Sequence, residues 1–134
     1  MAGSETEESM RKLIEAGEKG DPSVIIKFLS NEVKYTDAYG IESDKNGLLS
    51  IFRGLSSQWP DREYRLDNWA LNGDTVWIES TNHMTHVKEF KGIPPTNKRI
   101  KNQIVWIMEF REGKIVEIRE YEKQTEYMLR QLRD

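Results

Sequence analysis

The chain has 134 residues, with 20 Lys and Arg against 23 Asp and Glu, 32% charged and 37% hydrophobic residues, and no cysteine. This composition suits one folded domain with a real core; basic residues scattered among acidic ones argue against a nucleic-acid partner, and the missing cysteine excludes disulfides, thiolate metal sites and a cysteine nucleophile. No apolar run approaches membrane-spanning length and the acid-rich start lacks a secretory pattern, so the expected setting is cytoplasmic, with neither nucleic acid nor membrane as partner.

Residues 1–6 are expected to fray as the tail of a single domain covering 1–134. Over residues 5–19, Met10, Leu13, Ile14 and Ala16 recur at helical spacing, and Gly17 and Gly20 end the helix. Asp21 caps a second helix with Pro22 at its first position, where no backbone donor is missed. Residues 31–39 alternate as a short strand that puts Val33, Tyr35 and Asp37 on one face. A third helix follows, carrying Leu48, Leu49, Ile51, Phe52 and Leu55 at helical spacing and stopped by Trp59-Pro60-Asp61.

Residues 64–71 read as a strand, Asn72-Gly73-Asp74 as a hairpin turn, and 75–90 as a long partner strand. In that strand, with no bulge, Ile78, Ser80, Asn82, Met84 and His86 share one face and Trp77, Glu79, Thr81 and His83 the other; a bulge would exchange the faces beyond it. After the corner at Pro94-Pro95, residues 99–110 and 114–121 form the last hairpin around Arg111-Glu112-Gly113-Lys114, and 124–132 make a final helix. Strands joined by hairpins make an antiparallel sheet, so the class is α+β. A strongly curved sheet wrapped by the N-terminal helices leaves a cone with an internal pocket, a natural site for a small molecule.

Asp37 is the leading candidate base, because an apolar pocket disfavours a charged carboxylate and makes it basic near neutral pH. The competing role is a loop cap near Gly40. Glu120 shares strand parity with Ile118 and Val116 and reaches the hollow if they face inward; otherwise it is a surface partner for a Lys or Arg. His86 is a candidate proton shuttle or, equally, a rim residue at the Pro-Pro corner. His83 and His86 point to opposite strand faces, and no spacing supports a metal site. Trp106 and Met108 share a face and suit a hydrophobic ligand, while Trp77 and Ile107 on the outer face suit a homodimer interface.

The pattern formed by His86, Phe90, Gly92-Ile93-Pro94-Pro95-Thr96 and Lys98, followed by Gly113-Lys114-Ile115-Val116-Glu117, resembles the SnoaL-like polyketide cyclases. These belong to the superfamily of nuclear transport factor 2, ketosteroid isomerase and limonene epoxide hydrolase. The resemblance implies a curved-sheet cone, commonly dimeric, with an internal pocket. Against the isomerase pattern, Asp37 falls at the general base, while Leu13 and Trp106 replace the two oxyanion donors. Against the hydrolase pattern, Tyr35 matches, Asp37 replaces an asparagine, Glu120 in Ile118-Arg119-Glu120-Tyr121 stands at the water-activating carboxylate, and Ser80 and Asn82 replace an Arg and an Asp. Against the cyclases, His86 matches, and the acid expected after the last strand is Lys123 or, with one gap, Glu122.

The expected function is therefore a cofactor-free isomerase or cyclase acting on a small hydrophobic carbonyl compound. Asp37, Glu120 and His86 move protons; Tyr35, Ser80, Asn82, Met84, Trp106, Met108 and Ile118 line the substrate site. The alternatives are an epoxide hydrolase-like enzyme and a non-catalytic ligand-binding or dimerisation module.

Overall fold

The computed structural model describes residues 2–124 and 126–134. Met1 and Thr125, which fall within the expected tail and last helix, lie outside the described residues. Helix α1 spans Ala2–Glu18, so it starts inside the stretch expected to fray. Thr6 is buried there, and its hydroxyl accepts the Gly113 backbone N–H at 3.1 Å. The segment Pro22–Phe28 is a 3-10 helix rather than an α-helix, capped by Asp21, which accepts from the Ser23 N–H.

Strand β1 runs Leu29–Thr36, the short β2 Glu42–Ser43, and helix α2 Lys45–Gln58. Asp44 caps α2 by accepting from the Gly47 N–H at 2.9 Å. Strands β3 (Glu63–Asn72), β4 (Thr75–Thr85), β5 (Arg99–Arg111) and β6 (Lys114–Glu122) follow, and helix α3 covers Tyr127–Arg133. No helix among the described residues is long and apolar enough to cross a membrane.

The six strands form one curved sheet in the order β2-β1-β6-β5-β4-β3. Consecutive hairpins make its larger part antiparallel, as the turns require. The Glu112-Gly113 loop has positive φ at both residues (51° and 78°), the conformation that keeps a two-residue hairpin in step with strand twist. One pairing departs from the antiparallel expectation: β1 lies parallel to β6, with Tyr35 opposite Ile118. No local sequence signal marks that contact, because helix α2 and four further strands separate its partners.

Two apolar clusters fill the cone. One joins Met10, Leu13, Ile14, Val33, Ile115 and Ile118 beneath α1; the other joins Trp59, Met84, Ile100, Met128 and Leu132 beside α3. Helix α3 is held to the sheet by side chains from both elements. Gln131 bonds both the N–H and the carbonyl of Lys101 on β5, at 2.9 and 2.7 Å, and Glu122 accepts from the Met128 N–H. The cavity lies between the two clusters and is walled by members of both.

Candidate active site

The cavity measures about 520 Å³, within the range of small-molecule sites. Strand parity delivers its wall. Ile78, Ser80, Asn82 and Met84 of β4 face it, as do Asn102, Ile104, Trp106 and Met108 of β5. Helix α2 contributes Leu48, Phe52 and Leu55, so most of the lining is apolar, as the sequence pattern requires.

Glu120 is the carboxylate that the fold equips. Its Oε1 accepts from the Tyr35 hydroxyl at 3.0 Å and from the Trp106 Nε1–H at 2.8 Å, and its Oε2 accepts from the Ala38 N–H at 3.2 Å. Cross-strand register places Trp106 directly opposite Glu120, and the parallel pairing brings Tyr35 and Ala38 to it from β1 and the residues just beyond. Burial raises the Glu120 pKa above the ordinary glutamate value. The bonds from Trp106, Tyr35 and Ala38 pull it down without cancelling that effect, and the nearby Asp37 charge adds to the rise. Tyr35 is pushed up by burial first and by Glu120 second, so its phenol stays a neutral donor.

The oxygens of Glu120 differ. Two donors already occupy Oε1, whereas among the described residues Oε2 takes only the long bond from Ala38 and keeps lone-pair capacity for a proton. A raised carboxyl also leaves a trace in stability. The folded state holds the Glu120 proton to higher pH than the unfolded chain does, so this group's stabilisation is complete below its unfolded value and is lost as pH rises through the folded one. Denaturant titrations across that window should therefore show Glu120→Gln gaining on the wild type as pH rises, at no more than about 1.4 kcal/mol per pH unit for one proton. Parallel curves would refute the raised pKa.

Asp37 lines the cavity one residue beyond β1, but its Oδ1 accepts the Tyr39 and Ile41 N–H groups, each at 2.9 Å. That is the loop-capping geometry. Of the expected wall residues, Tyr35, Ser80, Asn82, Met84, Trp106 and Met108 are in place.

Two expected site residues are elsewhere. Ile118 is 0% exposed in the cluster beneath α1, behind the cavity wall. Its neighbours break parity, since the register shifts between Glu109 and Phe110 and buries Ile115 rather than Val116. His86 is also 0% exposed and lies outside the cavity lining, because β4 ends at Thr85. Its Nδ1 accepts the Thr96 N–H at 3.1 Å and meets the Thr96 hydroxyl at 2.9 Å, while its backbone bonds Lys98 and Asn97. It organises the Pro-Pro loop. His86 therefore does not join Asp37 and Glu120, and among the described residues no three His, Asp or Glu side chains cluster for a metal.

Sequence reasoning missed Arg62, Tyr39, Tyr64 and Asn102 on the cavity wall. Asn102 was within reach, since it shares parity with Trp106 and Met108. Arg62 gave no periodic signal, because it precedes β3. Glu122, the last residue of β6, also lines the cavity, while Lys123, the first residue beyond it, pairs with Glu79 at 2.8 Å.

The family model described as a SnoaL-like domain matches residues 10–118. No curated protein matches the chain in sequence. Among solved structures, AclR from Streptomyces galilaeus, described as a candidate hydroxylase, superposes with TM-score 0.74 at 24% identity, over 97% of this chain and 85% of its own. IdmH from Streptomyces antibioticus, described as a candidate polyketide cyclase, gives 0.71 at 22% identity over 96% and 99%. TsrD from Streptomyces laurentii gives 0.74 at 21% identity over 96% and 95%. Identities this low establish the fold and leave the reaction to the residues of the site.

Proposed function

Because the chain belongs to the SnoaL-like domain family, we propose that it is a cofactor-free acid/base enzyme that cyclises or isomerises a hydrophobic carbonyl compound, with Glu120 as the proton-transferring group. The observation that carries this reading is a carboxylate with a raised pKa, fixed by three donors, on the wall of an apolar cavity. The neighbour described as a candidate polyketide cyclase supports the substrate class by fold analogy, since polyketides carry acidic carbons between carbonyls.

In the proposed reaction Glu120 Oε2 takes a proton from such a carbon, and the C–H electrons pass to the adjacent carbonyl oxygen as an enolate. In cyclisation the enolate carbon forms a bond to a second carbonyl of the same molecule, and the resulting alkoxide recovers the proton from Glu120. In isomerisation the proton returns to a different carbon. Asn82 accepts from Arg62 through its oxygen, which leaves its amide N–H groups to orient a substrate oxygen. Asp37 enters as a neighbouring charge that raises the Glu120 pKa, rather than as the base. The test is hydrogen–deuterium exchange at the acidic carbons of cyclic ketones and β-keto esters, followed by NMR in heavy water. Exchange by wild type that is lost in Glu120→Gln is expected; ligand binding without exchange would turn the reading to a binding module.

A homodimer through the outer sheet face belongs to the same reading. Trp77 stands opposite Ile107 there, and Val105 opposite the 50% exposed Tyr121. Sedimentation at micromolar concentration should give twice the chain mass, and Trp77→Glu should return a monomer; a wild-type monomer would sink the idea.

A further inference from the structure

Arg62 is a half-buried guanidinium on the cavity wall that proton transfer by Glu120 does not use. Its Nη1 donates to Asn82 Oδ1 at 2.9 Å, and it makes no ion pair among the described residues. The acids on either side are engaged elsewhere. Asp61 and Glu63 both pair with Arg99, at 2.7 and 2.8 Å. An arginine has five N–H donors in a planar fork and stays charged in proteins, so most of its bonding capacity is left for the cavity. Burial, which lowers its pKa, is opposed here only by Tyr64 and by no carboxylate. Asn102, opposite Asn82 across the β4–β5 pair, has its Oδ1 buried with no donor among the described residues; that oxygen calls for an N–H or O–H and takes no part in holding an anion.

These groups lie toward one end of the β4 wall, with Met84 beyond them. The Asn82–Asn102 pair lies four residues along the strands from the Ile78–Trp106 pair, and Trp106 bonds Glu120. At the usual rise per strand residue that is about 14 Å, longer than a single ring. We propose that Arg62, with Asn82 holding its fork in place, is an anion-recognising end of the cavity, and that the substrate carries a carboxylate at the end remote from the carbon that Glu120 deprotonates. This deepens the acid/base reading and rests on it for the word substrate. The fit is chemical: a carboxylate accepts two parallel N–H bonds from the fork and neutralises a charge that the fold leaves unpaired.

The test compares 2-naphthoate with its neutral isostere 2-naphthamide by calorimetry at neutral pH and low salt. Wild type should bind the carboxylate at least ~10-fold more tightly than the amide, as a charge-assisted pair implies. Arg62→Met should bring the ratio to about one while keeping the amide's affinity, Arg62→Lys should give an intermediate ratio, and Glu120→Gln should leave the preference intact. A wild-type ratio at or below one, or no saturable naphthoate binding, overturns the assignment without any variant, and so does a preference that survives Arg62→Met. Failure of the acid/base reading would show separately, as absent deuterium exchange with the carboxylate preference unchanged.

Discussion

Glu120→Gln is expected to lower the rate of deuterium exchange by roughly 10²- to 10⁴-fold, the contribution of a positioned general base, while ligand affinity changes little. Gln has the same shape and keeps one oxygen acceptor, which can still serve the Tyr35 hydroxyl and the Trp106 N–H. The substituted amide then faces the Ala38 N–H with a donor of its own, so a small loss of stability accompanies the loss of rate. In the wild type the rate should rise with pH as Glu120 ionises, with its inflection above the ordinary glutamate value. Asp37→Asn makes the contrast. Asn keeps the oxygen that accepts from Tyr39 and Ile41 but removes the negative charge, so the inflection should move to lower pH with the rate largely retained. Exchange that survives Glu120→Gln and disappears in Asp37→Asn would reverse these roles.

His86→Ala should reduce folding stability by roughly 3 kcal/mol, through a cavity together with lost buried hydrogen bonds. The ring is fully enclosed, packs 6.1 Å from the Trp59 ring centroid, and offers Nδ1 to the Thr96 backbone. That nitrogen also meets the Thr96 hydroxyl at 2.9 Å, and Nε2 is buried with no partner among the described residues. A side chain in that position holds the loop from Val87 to Lys98 against the cone and has no path to substrate. At a temperature where the variant stays folded, its exchange rate should remain within about threefold of wild type. An unchanged melting temperature with a hundredfold slower rate would return His86 to the chemistry.

These two residues also show where sequence reasoning succeeds. The alternation that placed Ser80, Asn82 and Met84 on the cavity holds because β4 runs unbroken to Thr85, and it fails for His86, one residue later, where the ladder has ended. Parity identifies a face of the sheet and not a depth along the cone, so Ile118 is on the inner face but behind the cavity. The hairpins were legible from their turns, whereas the parallel β1–β6 contact joins distant segments and left no local trace. Glu120 was legible as a candidate, but its rank over Asp37 depends on three donors that only tertiary structure assembles. Arg62 was missed for the opposite reason, since a lone charge between a helix and a strand is ordinarily solvated.

The parallel pairing also fixes when the site comes into being during folding. Strands β3 and β4, and β5 and β6, meet through two-residue loops, and β4 and β5 through the single loop at Pro94-Pro95, but Glu120 is joined to Tyr35 and Ala38 across 85 and 82 residues, and Gly113 to Thr6 across 107. Contacts of such long range are slow to form, because the entropy of closing the loop is lost before the contact returns anything. Until β1 docks, β6 is an unpaired edge, open to the strands of other chains, and Glu120 sits on it without its Tyr35 and Ala38 donors. The step that protects the nascent sheet from aggregation is thus the same step that completes the carboxylate's surroundings, and a ligand that requires the finished cavity draws the chain toward closure by binding only its folded form.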